Sequence, residues 1–136
     1  KLNWAPDIIH VHGWMASLLP MYLKEFYSEE PLFKESKIIT SLYNNGFNGV
    51  LNEDLANKIK FDFDQEEKLA AIATPNHTNI LKSAIDNSDA VICGSEVLNE
   101  ELASYLETQQ KPVLPYQSEN IKESYLNFYA DIIAVN

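Results

Sequence analysis

Short β-branched runs alternate along this chain with longer stretches in which apolar residues recur every three or four positions. The first run, Ile8-Ile9-His10-Val11-His12, is bounded by Pro6 and Gly13. It reads as a strand buried on both faces, of the kind found in parallel sheets. The spacing of Leu18, Leu19, Tyr22, Leu23 and Phe26 predicts a helix over Trp14–Glu29, kinked near Pro20 and stopped at Pro31. Ile38–Leu42 is a second strand. It runs into Tyr43-Asn44-Asn45-Gly46-Phe47-Asn48-Gly49, where three Asn and two Gly supply turn chemistry. Asn52–Lys60 reads as a helix capped by Asn52, Phe61–Asp64 as a break, and Gln65–Ala73 as a short helix ended by Pro75. Asn76–Asn87 presents Ile80, Leu81, Ala84 and Ile85 on one face. Ala90–Cys93 is a third strand, with Ser95 expected to cap the next helix. That helix is Leu98–Thr108, with Leu98, Leu102, Tyr105 and Leu106 inward. Pro112–Leu114 is a short fourth strand. Ser118–Tyr129 is a last helix, capped by Ser118, with Ile121, Tyr125, Leu126, Phe128 and Tyr129 as its apolar stripe.

Strands alternating with helices indicate one α/β domain with a parallel sheet and right-handed crossovers. In such sheets ligands bind where strands end and helices begin. The first strand therefore delivers His10, His12 and Trp14 to a binding edge. The amide-rich bend after the second strand brings Asn44 and Asn45, flanked by Tyr43 and Phe47, to the same edge. Amides and aromatic rings together suit sugar hydroxyls.

Composition narrows the ligand. The chain has 136 residues, 46% hydrophobic and 22% charged, with a net charge of −10. That excess of carboxylates disfavours nucleic acid and anionic membranes, and leaves a neutral ligand such as a sugar compatible. The single cysteine, Cys93, rules out an internal disulfide and points to the cytoplasm. The absence of an initiating Met and the start just before a strand suggest a piece of a longer protein.

The chemistry-bearing residues have plain readings too. His10 and His12 share one strand face, but two histidines without a third ligand are not a catalytic metal site, so no metal and no cofactor is expected. Trp14 at a helix start could stack on a sugar, although indoles at such positions are more often core. Cys93 has no base beside it in sequence and reads as a small apolar residue. Ser95 lacks the second glycine of a nucleophile elbow. The acidic pairs Glu29-Glu30, Glu66-Glu67 and Glu100-Glu101 read as solvated helix faces.

The stretch Trp4-Ala5-Pro6-Asp7-Ile8-Ile9-His10-Val11-His12-Gly13-Trp14, continuing through Pro20 and Tyr22-Leu23, resembles the signature of bacterial glycogen synthases and plant starch synthases. Lys37–Gly49 is similar to that family's strand and His-Asn turn, and Ala84–Glu96 to its later strand entry. The order and spacing of the three blocks agree. The resemblance implies a glucosyltransferase that moves glucose from ADP-glucose or UDP-glucose to an α-1,4-glucan. It also implies two Rossmann-like domains facing a cleft, of which this chain is similar to the second half of the N-terminal, acceptor-side domain. The partners it implies are a glucan or maltooligosaccharide, with the nucleotide sugar held by a domain absent here. Shortened, single-domain relatives resemble the chain more closely still.

The substrate-binding candidates are His12, Gly13, Trp14, Asn44 and Asn45, of which Trp14 and Asn44 are carried over by the resemblance, and Tyr43 stands at the position that the resemblance makes the catalytic His. Two departures matter. Gly13 replaces the family's Asp, removing a carboxylate. Tyr43 replaces the His, and a phenol lacks imidazole's geometry and charge. These departures leave a second reading open, that of a non-catalytic relative that binds glucan or regulates a synthase. An unrelated α/β domain would instead show the first strand with antiparallel neighbours. An open edge at the first strand is expected to favour a homodimer.

Overall fold

The computed structural model describes residues 4–60 and 66–135. Four parallel strands lie in chain order: β1 (Ile8–His12), β2 (Lys37–Leu42), β3 (Ala90–Cys93) and β4 (Val113–Leu114). The connections carry a short 3₁₀ turn (Trp14–Ala16) and helices α1 (Leu19–Phe26), α2 (Leu55–Lys60), α3 (Glu66–Ala71), α4 (His77–Asp86) and α5 (Glu100–Glu107). Helix α6 (Ile121–Ala134) follows β4. This is the expected α/β architecture, and β1 has a parallel neighbour.

Strands laid side by side in chain order have a consequence. Right-handed crossovers must then all pass over the same face. The packing agrees. Val11 and Ile38 lie with Leu23 of α1, and Leu42 and Val91 lie with α4 and α5 through Leu81, Ile85, Leu102 and Leu106. The opposite face, carrying Ile39, Ala90 and Ile92, is covered by α6 through Tyr125, Phe128, Tyr129 and Ile132. A satellite core joins Met21 of α1 to Ile59, Leu69 and Ile72.

Several expectations are corrected. β1 is an edge strand and half-buried rather than enclosed; of its residues only Val11 is buried. Trp14–Glu29 is not one kinked helix. The chain makes a 3₁₀ turn and then starts α1, with Pro20 in the first turn, where its missing N–H costs nothing. Helix α2 begins at Leu55, because Asn52 caps an earlier turn by accepting the Asp54 N–H at 2.9 Å. The break at Phe61–Asp64 and the start of the next helix at Gln65 lie outside the described residues. Helix α5 begins after Asn99, whose side chain accepts from the Glu101 N–H. Helix α6 starts after Asn120, not Ser118, and runs past Tyr129 to Ala134. Asn120 sits in the left-handed region at φ 51°. Its inward stripe also differs, because Ile121 and Leu126 face outward.

Candidate functional site

The C-terminal ends of β1, β2 and β3 form the edge at which the sequence places its candidates. Side chains alternate along a strand, so His10 and His12 share the α6 face of β1, and Ser41 and Tyr43 continue that face along β2. His10 Nδ1 lies 2.6 Å from the Tyr129 hydroxyl, and its Nε2 lies 2.7 Å from the Ser41 hydroxyl. The His12 ring lies 3.9 Å from the His10 ring, centre to centre, tilted by 34°. Its Nδ1 lies 2.9 Å from the Tyr43 hydroxyl. Burial, aided by the neighbouring His12, lowers the His10 pKa to about 4. His10 is therefore neutral at physiological pH, and each of its nitrogens faces a hydroxyl. It serves as a structural hub between the Ser41 and Tyr129 hydroxyls. Among the described residues no group of three or more metal-ligating side chains gathers.

Gly13 ends β1 with φ 69° and ψ 176°, a region essentially reserved for glycine. Its N–H donates to the Ser41 carbonyl at 3.2 Å, and its own carbonyl accepts from the buried Ser17 hydroxyl at 2.9 Å. This turn sends Trp14 to the other face. There the half-buried indole packs against the α4–α5 core and lies 4.7 Å from the Phe47 ring. Phe47 meets His77 edge-on at 5.8 Å, and the bend holding Phe47 is joined to the start of α4 by the Leu51 N–H donating to the Pro75 carbonyl. His77 Nε2 is buried, and among the described residues it has no hydrogen-bond partner.

Asn44 is exposed, and its N–H donates to the Ser95 hydroxyl at 3.0 Å. Ser95 thus pins the amide-rich bend to β3 instead of capping a helix, a correction to its expected role. Asn45 is exposed on the same bend. Beyond Ser95 a cavity of about 380 Å³ opens between α5 and β4, lined by Cys93, Glu96, Leu98, Leu106, Pro115 and Tyr116. Burial raises the Cys93 thiol pKa, so the thiol lacks the environment of a nucleophile.

His12, Gly13 and Tyr43 therefore lie together, with Asn44 and Asn45 on the adjoining bend. Trp14 stands at the same edge but on the opposite face, with Phe47. Sequence reasoning did not reach Tyr125, Tyr129, His77 or Gly94, all of which shape this edge. The two tyrosines were visible at helical spacing, but only as an apolar stripe.

The family model for the starch synthase catalytic domain matches residues 1–113. The chain belongs to this family. Among curated relatives, the glycogen synthase of Clostridium perfringens is 29% identical over 122 residues, covering 89% of this chain and 23% of the relative. That of Photobacterium profundum is 33% identical over 106 residues, covering 78% and 21%. That of Vibrio vulnificus is 31% identical over 106 residues, covering 78% and 22%. The chain spans less than a quarter of the length of these relatives. No solved structure matches it. As a member of the starch synthase family, the chain carries its family match through β1, β2, β3 and α5 into β4, so the candidate residues from His12 to Ser95 fall inside the match and Tyr125 and Tyr129 of α6 fall outside it. No helix among the described residues is long and apolar enough to cross a membrane.

Proposed function

We propose that this chain is the acceptor-side portion of a glycogen synthase-type glucosyltransferase, and that it binds α-1,4-glucan or maltooligosaccharide at the C-terminal edge of its sheet. The observation that carries this reading is the family match across residues 1–113, which takes in the candidate residues from His12 to Ser95. The geometry supports it. A half-exposed phenol hydrogen-bonded to an imidazole stands on one face of the edge, two exposed amides lie on the adjoining bend, and a half-buried indole stands on the other face. Rings and amides of this kind recognise neutral polyhydroxylated ligands. The donor, ADP-glucose or UDP-glucose, is held by a domain outside this chain. A surface with a net charge of −10 is poorly suited to hold a diphosphate alone.

A second reading, glucan binding without catalysis, is favoured by two features. Gly13 adopts a backbone that an Asp would strain, so geometry as well as sequence disfavours a carboxylate at this turn. Tyr43 places a phenol where the family has a histidine, and its oxygen is engaged by His12.

Two experiments on the complete gene product separate these readings. Maltoheptaose titrated by NMR should shift the signals of residues 12–14 and 43–45; unchanged spectra at millimolar sugar overturn both readings. Incorporation of radiolabelled glucose into glycogen from ADP-glucose supports the enzyme, whereas binding without incorporation from either nucleotide sugar leaves the glucan-binding protein.

A further inference from the structure

Gly94 follows β3 at the candidate edge, and nothing in its backbone asks for glycine. Its φ lies outside the left-handed region occupied by Gly13 and Gly49. Its N–H donates to the Leu42 carbonyl at 2.7 Å, a bond open to any residue except proline. What excludes a side chain is the Tyr43 ring. A Cβ on Gly94 would lie 2.7 Å from Tyr43 Cζ and 2.8 Å from Cδ1, with Cε1 closer still. Atoms in proteins do not approach so closely, so the phenol must move if position 94 carries a side chain. In its present place its hydroxyl is hydrogen-bonded to His12. His12 itself lies against the His10 ring, which is flanked by the Ser41 and Tyr129 hydroxyls.

We propose that Gly94 is the positioning residue of the Tyr43–His12 pair: its missing side chain is the seat of the phenol ring, and any side chain there swings Tyr43 away from His12. The residue sizes are coupled, a large ring at position 43 requiring an empty position 94. Gly94 thereby sets which ring and which hydrogen-bonding group the edge presents to a ligand. The consequence for saccharide affinity rests on the proposed function, whereas the placement of Tyr43 does not.

The test uses the full chain as wild type, Gly94→Ala, Tyr43→Phe, Tyr43→Ala and the combined Tyr43→Ala/Gly94→Ala. Nitrogen-15 NMR of the imidazoles reports the His12 Nδ1 hydrogen bond. Tyr43→Phe deletes that bond and defines the unbonded shift. Gly94→Ala should move His12 Nδ1 to that same value and lower the melting temperature. In the Tyr43→Ala background the Gly94→Ala substitution should cause no further loss of stability, because the obstructing ring is gone. For maltoheptaose, Gly94→Ala should weaken binding by about tenfold. If wild type does not bind the sugar, the proposed function fails, and the His12 shift still decides the role of Gly94. A folded Gly94→Ala protein with a wild-type His12 shift overturns the proposal. So does a stability loss that persists without Tyr43. If Gly94→Ala does not fold alone, folding of the combined variant supports the proposal and failure of both overturns it.

Discussion

Tyr129 on the last helix and His10 on the first strand, 119 positions apart, meet with the phenol oxygen 2.6 Å from the imidazole Nδ1. This contact fastens α6 to the edge strand of the sheet. It also makes stability depend on pH in a defined direction. The His10 pKa is lowered from 6.5 to about 4 by burial, with His12 adding to the effect. Above pH 6.5 His10 is neutral in both the folded and unfolded chains, and its contribution is complete. Between 6.5 and about 4 the unfolded chain takes up a proton that the folded chain refuses, so stability falls as pH falls. Urea denaturation at pH 7.5 and 5.0 should show this loss, and His10→Gln should reduce it. An NMR titration should place the His10 midpoint below pH 5; a midpoint near 6.5 would refute the assignment.

Gly13 permits a test of what a carboxylate would do at this turn. At φ 69° and ψ 176° a side chain is strained, at about 1–3 kcal/mol. Gly13→Asp introduces the carboxylate that the resemblance implies, without changing the backbone geometry that glycine permits here. It should lower stability by about that amount and should confer no glucosyl transfer from ADP-glucose. Gly13→Ala should lower stability comparably, because the strain comes from having any Cβ. A fully stable Gly13→Asp protein would show that the turn is free to change its backbone.

Much of this was legible before the structure. Ala90–Cys93 and Lys37–Leu42 are short β-branched runs between turn residues, and their strand character needs no tertiary information. Helix α4 was equally plain, with Asn76 capping it by accepting the Asn79 N–H at 2.8 Å. The errors occur where context outweighs pattern. A run such as Ile8–His12 has the same composition in the centre or at the edge of a sheet, so its half-burial was invisible. Pro20 fits a first turn as readily as it kinks an interior one, and only the 3₁₀ turn at Trp14–Ala16 settles which. Ser95 looks like a cap, but its hydroxyl answers a backbone N–H 51 positions away, which no local pattern encodes. Gly94 was unreadable because its reason is the ring of Tyr43, a distant neighbour in sequence.

Asp89 offers a stability test away from the edge. Its carboxylate accepts the Ile38 N–H at 2.7 Å and the Lys24 ammonium at 2.9 Å, joining the start of β2 to α1. The two bonds should differ in worth. Asp89→Ala leaves a buried residue's N–H without its acceptor and should cost about 1–3 kcal/mol. Lys24→Met removes only a half-exposed ion pair and should cost about 0–1 kcal/mol. Chemical denaturation of both variants measures the difference; equal losses would show that the ion pair is the stronger link.

Cys93 should resist alkylation. Burial raises its thiol pKa, so the thiolate fraction at neutral pH is below that of a free cysteine. Iodoacetamide at pH 7.5 should modify the native chain far more slowly than the urea-unfolded chain, as read by mass spectrometry. Modification at the same rate in both would mean that the α5–β4 cavity leaves the sulfur open and its environment unperturbed.

Gly46 seats a ring on the other face of the edge. A Cβ there would lie 2.6 Å from His77 Cδ2 and 2.7 Å from Nε2, and again no left-handed φ accounts for the glycine. His77 cannot yield easily, since it stands edge-on to Phe47, which packs on Trp14. Gly46→Ala should therefore overpack this stack and cost about 1–3 kcal/mol. The strain should spread along the rings to the indole. In a Trp4→Phe background, where Trp14 is the remaining tryptophan, Gly46→Ala should shift the emission maximum to longer wavelength as Phe47 is displaced and water reaches the indole. Adding His77→Ala should remove most of the stability loss, because the obstruction is the imidazole and not the bend itself. An unchanged Trp14 spectrum together with a full loss of stability would place the strain in the backbone of the bend and break the proposed link from Gly46 through His77 and Phe47 to Trp14.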